Sequence, residues 1–136
     1  MLLDHGTMPV IAPVGIDENW KAHNINADLA AASVAAALKA EKLVYLSDVA
    51  GVLVNDVLVN SLTKDDAQQL IDNGVINNGM VPKIRSAFNA LEAGVQKVHM
   101  IDGRVKHSLL LEIFTDEGVG TEMLRALSRP ASEVPS

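Results

Sequence analysis

The chain has 136 residues, no cysteine, few aromatics and a formal net charge of −6. That length suits one ordinary domain, and an apolar share of 49% is enough for an aliphatic core. A disulfide scaffold, a thiolate metal site and a cysteine nucleophile are excluded, and the negative balance argues against general attraction to nucleic acid or anionic lipid.

The longest uncharged, mostly apolar run, 29–38, is about half of what a membrane span needs. The start, Met1-Leu2-Leu3-Asp4-His5, lacks the basic region and apolar core of a signal peptide. A soluble, cytoplasmic protein is the expectation.

Leu2, Leu3 and then His5-Gly6 read as the end of a helix stopped by glycine. Met8 to Pro13 (MPVIAP) is a short apolar run closed by Pro13 and Gly15, and it predicts a buried strand. Gly15 to His23 is polar and predicts a loop or short hairpin. Its Trp20 is either a lid residue or a partly buried loop aromatic, the second being the commoner case.

Asn24-Ile25-Asn26-Ala27-Asp28 places two amides and a carboxylate where an extended segment should turn into a helix. Asn26 suits the N-cap, and Asp28 then sits in the first turn, where the dipole favours negative charge. Asp28 to Lys39 is alanine-rich and helical. Lys42 to Ser47 (KLVYLS) predicts a nearly continuous apolar strand of a parallel sheet covered on both faces. With Met8 to Pro13 and the helix it would complete a right-handed crossover.

Ser47 to Leu53 (SDVAGVL) follows at the carboxyl end of that strand, where open α/β sheets bind ligands. An ordinary strand-exit turn is the competing interpretation. Val52 to Val54 and Val57 to Val59 flank Asn55-Asp56 and predict a hairpin. Thr63 with Asp66 three residues on is close to a capping box, opening a structural helix that ends at Gly74.

Val75 to Lys83 (VINNGMVPK) precedes a helix running to about Ala93, with Pro82 in its first turn. Lys83 is at the wrong end for the dipole, so it is either a solvated surface lysine or a residue arranged to meet an anion. No P-loop pattern is present. Val95 to Ile101 predicts a strand, Asp102-Gly103-Arg104 a turn, and His107 to Phe114 a short apolar helix with Glu112 inside it. Thr115 to Thr121 is a Gly-rich turn before a last edge strand near Met123. The four histidines lack metal-ligand spacing. The tail from Leu127 onward is expected to be disordered. From the residues, the chain is an α/β domain with a mainly parallel sheet, helices on both faces and anion-binding loops at the strand ends.

Asn-Ile-Asn-Ala-Asp (24–28), Ser-Asp-Val-Ala-Gly-Val-Leu (47–53), Gly-Met-Val-Pro-Lys (79–83), His-Met-Ile-Asp-Gly-Arg (99–104) and Leu-Leu-Glu-Ile-Phe-Thr-Asp-Glu-Gly-Val-Gly-Thr (110–121) occur in that order. Together they resemble the C-terminal half of the acetylglutamate kinase branch of the amino-acid kinase family, over roughly residues 1–124. The resemblance implies the C-terminal half of that fold, with residues 1–126 as an ATP-binding domain and 127–136 as a tail. It also implies transfer of the γ-phosphoryl of ATP to the side-chain carboxylate of N-acetyl-L-glutamate, with Mg2+ carried on the ATP phosphates.

In that resemblance Lys83 matches the lysine that stabilises the transferring phosphoryl group, and Asp28 the aspartate that orients the catalytic lysines. Asn24 matches a residue that holds acetylglutamate, with Asn26 shaping the same site. Asp48, Val49, Ala50, Gly51, Val52 and Leu53 match one nucleotide-binding segment; Val75, Ile76, Asn77, Gly79 and Met80 match the other. His99, Glu112 and Gly118 match positions linked to L-arginine in the arginine-inhibited branch, and Glu112 would suit a guanidinium unless it points to water.

The sequence departs from the family in having no counterpart of its N-terminal half, with the Gly-rich loop, a second lysine and most of the acetylglutamate pocket. Smaller departures are Asn78 in place of Gly and His23 where an aromatic is common. The expectation is a chain that folds, binds nucleotide weakly and does not catalyse alone. Full-length members imply a homo-oligomer, but the arginine-linked hexamer uses an N-terminal helix without counterpart here, so none is expected. A non-catalytic nucleotide- or effector-binding module and a half-enzyme needing a partner chain are the two alternatives. Asp28 and Lys83 should meet at the strand ends.

Overall fold

The computed structural model describes residues 3–77, 79–115 and 119–125. The tail 127–136 and the two expectations on Asn78 and Gly118 lie outside the described residues.

A turn of 3-10 helix, Leu3–His5, ends at Gly6, as its glycine suggested. The hairpin expected next is formed by β1 (Val14–Ile16) and β2 (Ala22–Asn24). Asp17 organises its tip by accepting from the N–H groups of Asn19 and Lys21 at 2.9 and 3.0 Å. This leaves Trp20 at φ +63 and 82% exposed. Its ring is therefore not partly buried as expected; the Asx-type turn fixes the backbone and directs the ring outward.

Met8 to Pro13 is a second correction. It forms no strand, and Met8 and Val10 are 86% and 95% exposed. A strand needs a partner ladder, and Pro9 and Pro13 each lack a donor for one. The crossover built on that strand is not formed. The segment instead lies along α1 (Ala27–Ala37), where Pro9, Ile11 and Pro13 line an apolar groove with alanines of that helix.

Helix α1 starts as expected. Asn26 Oδ1 accepts from Asp28 and Leu29 N–H at 3.0 and 3.2 Å. The small side chains Ala32 and Ala35 are buried against the sheet and its neighbour α3 (Val81–Glu92). Strand β3 (Lys42–Ser47) runs over the expected residues. It leads through the hairpin of β4 (Leu53–Val54) and β5 (Val57–Leu58), whose turn residues Asn55 and Asp56 both have positive φ, the geometry of a type I′ turn. Strand β6 (Ser61–Thr63) precedes α2 (Lys64–Asp72), and the Thr63–Asp66 capping box is complete. Strand β7 (Lys97–Asp102), helix α4 (Ser108–Phe114) and strand β8 (Thr121–Leu124) follow.

The main sheet has the order β3-β7-β8-β6. β3 is parallel to β7, with Lys42 opposite Lys97 and Ser47 opposite Asp102. β8 is antiparallel to β7 and parallel to β6. It is thus an interior strand, not the edge strand expected, because β6 adds on beyond it.

Alternation along β7 sets the layers. Val98 and Met100 are fully buried in one cluster with Tyr45, Ala32, Ile84, Phe88 and Leu91, which places α1 and α3 on that face. Lys42, Val44, His99 and Ile101 take the opposite parity, where α4 docks through Glu112. Helices therefore lie on both faces, but α4 is short and Leu46 stays 55% exposed, so β3 is not fully covered on its second face.

Candidate active site at the strand ends

Both α1 and α3 begin at the carboxyl end of the parallel strands, and their first turns meet there. Asp28 lies in the first turn of α1 and Lys83 in that of α3. Lys83 Nζ donates to both carboxylate oxygens of Asp28, at 2.8 Å each, across 55 residues of sequence. The side chains are 22% and 26% exposed, so the pair is neither solvated nor sealed. Lys83 also lies over the Tyr45 ring, 5.5 Å from its centroid.

Behind the pair, Ser86 Oγ donates to the Asp28 carbonyl at 3.1 Å and bridges to Tyr45 OH at 3.0 Å. Burial, opposed by the Ser86 hydrogen bond, holds the Tyr45 hydroxyl above its usual range. Tyr45 and Ser86 thus fix the backbone that carries Asp28. Ser86 follows Lys83 by one turn on α3, and that spacing is the signal that could have found it.

The loops expected to bind nucleotide converge beside this pair. Val49, Gly51, Val52, Leu53, Val75, Ile76, Asn77 and Met80 line one cleft of about 170 Å³. An adjoining cleft of about 350 Å³ is lined by Ser47, Asp48, Val49, Asn77, Gly79, Met80 and Lys83. Ala50 sits within the first loop and lines neither cleft.

Gly51 has φ +144, and a Cβ there would lie 2.6 Å from Thr121 Oγ1. The close approach lets Thr121 Oγ1, fully buried, accept from Val52 N–H at 2.9 Å. Thr121 is a residue that sequence reasoning missed, since its contact spans 69 positions.

Asn24 and Asn26 fare differently. Asn24 is exposed at the end of β2, and the Asn26 oxygen is engaged as the helix cap. Neither lines the two clefts. His23 is held by Asp17 at 2.9 Å.

At the same edge, Arg104 grips Asp102. Nε donates to Oδ1 at 2.9 Å and Nη2 to Oδ2 at 2.7 Å. These bonds hold the Asp102 carboxyl down to about 2. Asp48 lies within electrostatic reach of Arg104 and reinforces its charge.

The three effector positions split. Gly118 is outside the described residues; His99 and Glu112 touch. Glu112 does not point to water: its side chain is 1% exposed. Oε1 accepts from Lys42 Nζ at 2.8 Å and pairs with His99 Nδ1, while Oε2 accepts from Val119 N–H at 3.3 Å. His99 Nε2 lies 3.4 Å from Glu122 Oε1.

Burial holds His99 below its ordinary value of 6.5, against the opposing pull of Glu112 and Glu122 and with help from Lys42. The folded state therefore keeps the imidazole neutral, and the unfolded chain protonates first as pH falls. Its contribution to stability is present above pH 6.5 and is lost as pH falls through the lowered value. Urea midpoints should drop between pH 7 and pH 5.5, and His99→Gln should remove part of that drop; a midpoint equally pH-dependent in the variant would contradict this assignment.

Fold and clefts together define an α/β domain with a strand-end ligand cleft and a cation–carboxylate pair at its rim. A family model described as the amino acid kinase family matches residues 1–102. The chain belongs to the amino acid kinase family.

Among its relatives, the acetylglutamate kinase of Aquifex aeolicus is 62% identical over 123 residues, 90% of this chain and 41% of the relative. That of Chlorobaculum tepidum is 53% identical over 134 residues, covering 98% of this chain and 47% of its own. The chain thus spans less than half the length of these curated relatives. Among solved structures, N-acetylglutamate synthase from Neisseria gonorrhoeae complexed with coenzyme A and L-arginine aligns with a TM-score of 0.82 and 38% identity, over 90% of this chain and 28% of that one. Isopentenyl phosphate kinase from T. acidophilum, at 23% identity and a TM-score of 0.63, shares the fold.

Proposed function

We propose that this chain is the nucleotide-binding part of an acetylglutamate kinase. Completed by the rest of the enzyme, it transfers the γ-phosphoryl of ATP to the side-chain carboxylate of N-acetyl-L-glutamate, in arginine biosynthesis. The observation that carries this reading is the Lys83–Asp28 pair beside a cleft built from 48–53 and 75–80. The 62% identity to a kinase, against 38% to a synthase, favours phosphoryl transfer.

The chemistry follows from the charges. An acceptor carboxylate oxygen bonds to the γ-phosphorus, the bond to the β–γ bridging oxygen breaks, and ADP leaves. Positioning and charge stabilisation do most of the work in such a transfer. The Lys83 ammonium meets the negative equatorial oxygens, and the amides at the start of α3 add their dipole. Asp28 holds Lys83 at that position.

The 48–53 and 75–80 segments take the nucleoside. Magnesium enters on the phosphates, and Asp48 is an oxygen donor of suitable hardness at the cleft. Asn24 is assigned to acetylglutamate, and Asn26 sets the start of the helix behind it. The assembled protein is expected to be a cytoplasmic homo-oligomer.

The test uses the purified 136-residue chain with MgATP and N-acetyl-L-glutamate. Alone it should bind ATP but release no acetylglutamate-dependent ADP. Adding the part of the Aquifex aeolicus kinase that the chain does not cover should produce turnover. Turnover by the chain alone would overturn this division of labour.

A second reading is favoured at the α4 face. Glu112 pairs with Lys42 there, Glu122 approaches His99, and Glu41, Lys42 and Lys97 line a cleft at the same place. We propose L-arginine as its ligand, its guanidinium replacing Lys42 at Glu112; the synthase above is an arginine complex. Calorimetric titration should give arginine binding that Glu112→Gln abolishes, and equal binding by both would sink the assignment.

A further inference from the structure

Tyr45 is the only tyrosine of the chain. It is 4% exposed, opposite Met100 in the β3–β7 ladder and in one cluster with Ala32, Ile84 and Phe88. Leucine or phenylalanine would fill such a place without a hydroxyl to satisfy. A buried hydroxyl with no partner costs stability, so the partners of this one show what the tyrosine adds.

Those partners are the two helix starts. Tyr45 OH lies 3.0 Å from Ser86 Oγ and 3.3 Å from the Asp28 carbonyl oxygen, to which Ser86 Oγ donates at 3.1 Å. Each hydroxyl has one proton to give. The two shorter contacts form a chain from Tyr45 to Ser86 to Asp28 in which each proton is used once. It ties β3 through Tyr45, α3 through Ser86 and α1 through Asp28. Ser86 is 1% exposed, so the chain is shielded from solvent.

The ring acts on the other member of the pair. Lys83 Nζ lies 5.5 Å from its centroid, within the range over which an aromatic face attracts an ammonium. Asp28 takes two of the three ammonium donors, and one is left. The ammonium is thus held between a carboxylate and a ring, and the hydroxyl of that ring is bonded back to the residue that bears the carboxylate.

We infer that Tyr45 is a positioning residue for Lys83: its ring carries the ammonium, and its hydroxyl fixes the Asp28 backbone through Ser86, so one side chain sets where the lysine meets a phosphate. The phosphate part of this inference rests on the proposed nucleotide site; the hold on Lys83 does not.

The experiment compares the 136-residue chain with Tyr45→Phe, Tyr45→Leu, Ser86→Ala and, as a control, Ser33→Ala. The Ser33 hydroxyl bonds the Leu29 carbonyl at 2.9 Å, so its removal deletes the same group elsewhere on α1. Two quantities are read: the proton chemical shift at Lys83 Cε, and the affinities for ATP and AMP. The ring face shifts those protons upfield. Tyr45→Phe should keep that shift, and Tyr45→Leu should return it to the position of a solvated lysine. Tyr45→Leu should weaken ATP about fivefold more than AMP, where a merely structural role would weaken both alike. Tyr45→Phe and Ser86→Ala should each weaken ATP about threefold. Ser33→Ala should change neither quantity.

An unmoved Lys83 resonance in Tyr45→Leu, or equal losses of ATP and AMP, overturns the inference. Should Tyr45→Leu fail to fold, Tyr45→Met, which fills the space without a ring, decides it by the same two readings. A chain that binds neither nucleotide would remove the proposed function, and the Lys83 resonance would still decide the role of Tyr45.

Discussion

Gly120→Ala is expected to remove a large part of the stability of the domain. Gly120 has φ +104, and a Cβ there would lie 2.1 Å from the Met100 carbonyl oxygen and 3.1 Å from Ile101 Cα. Both neighbours are in β7 at the centre of the sheet, so neither can swing aside as a flexible side chain could. Met100 is also the register partner of Thr121, the first residue of β8. Relieving the clash means moving β8 away from β7, which draws Thr121 Oγ1 away from the Val52 N–H.

Backbone strain at such a φ costs about 1–3 kcal/mol, and forcing a methyl into a filled space costs a similar amount. The sum, about 4 kcal/mol, is a large part of the 5–15 kcal/mol that holds an ordinary domain together. The midpoint of thermal unfolding should fall by roughly 15 °C. A fall of less than about 3 °C would mean that β8 does not approach β7 as described.

Lys83→Ala should do the opposite: little to the fold, much to the ligand. The Asp28 it leaves behind keeps the start of α1 and its dipole. With the pair about a quarter exposed, the folding cost should be about 1–2 kcal/mol, between the values for surface and buried pairs. The functional cost is larger because Lys83 is the cation assigned to the transferring phosphoryl group. In a kinase assembled with this part, turnover should fall about 10²–10³-fold, the range for removing one preorganised donor. In the chain alone, the variant should lose more affinity for ATP than for AMP, since the terminal phosphate is what Lys83 meets. Equal losses for both nucleotides would place Lys83 elsewhere in the cleft.

How far these features could be read beforehand depended on the range of the interaction behind each. The Asn26 cap, the Thr63–Asp66 box and the Asn55-Asp56 turn are contacts within a few residues, and all three were legible. Strands β3 and β7 were legible as apolar runs. The run at Met8 to Pro13 looked the same and failed, because a strand is defined by a partner that its own residues do not encode. The interior position of β8 was hidden for that reason too: β6 pairs beside it across about sixty residues of chain.

Glu112 was open between a guanidinium partner and water, the habit of single glutamates, and within this chain it takes neither. Its partner Lys42 is 70 positions away, and pairing is what makes its burial tolerable. Trp20, expected to be partly buried, is exposed, since Asp17 controls the turn and the ring follows. The approach of Asp28 to Lys83 is also long-range: the residues alone marked Lys83 as placed to meet an anion, and only the family resemblance named Asp28 as its partner.

ATP should bind at the edge where these two helix starts meet. Amide chemical-shift mapping of the chain, titrated with a non-hydrolysable ATP analogue and Mg2+, tests it most directly. Shifts should concentrate in 48–53 and 75–80 and at Asp28 and Lys83, with β1, β2 and the α4 face unchanged. Saturating shifts centred on α4 and His99, or none at the strand ends, would contradict it.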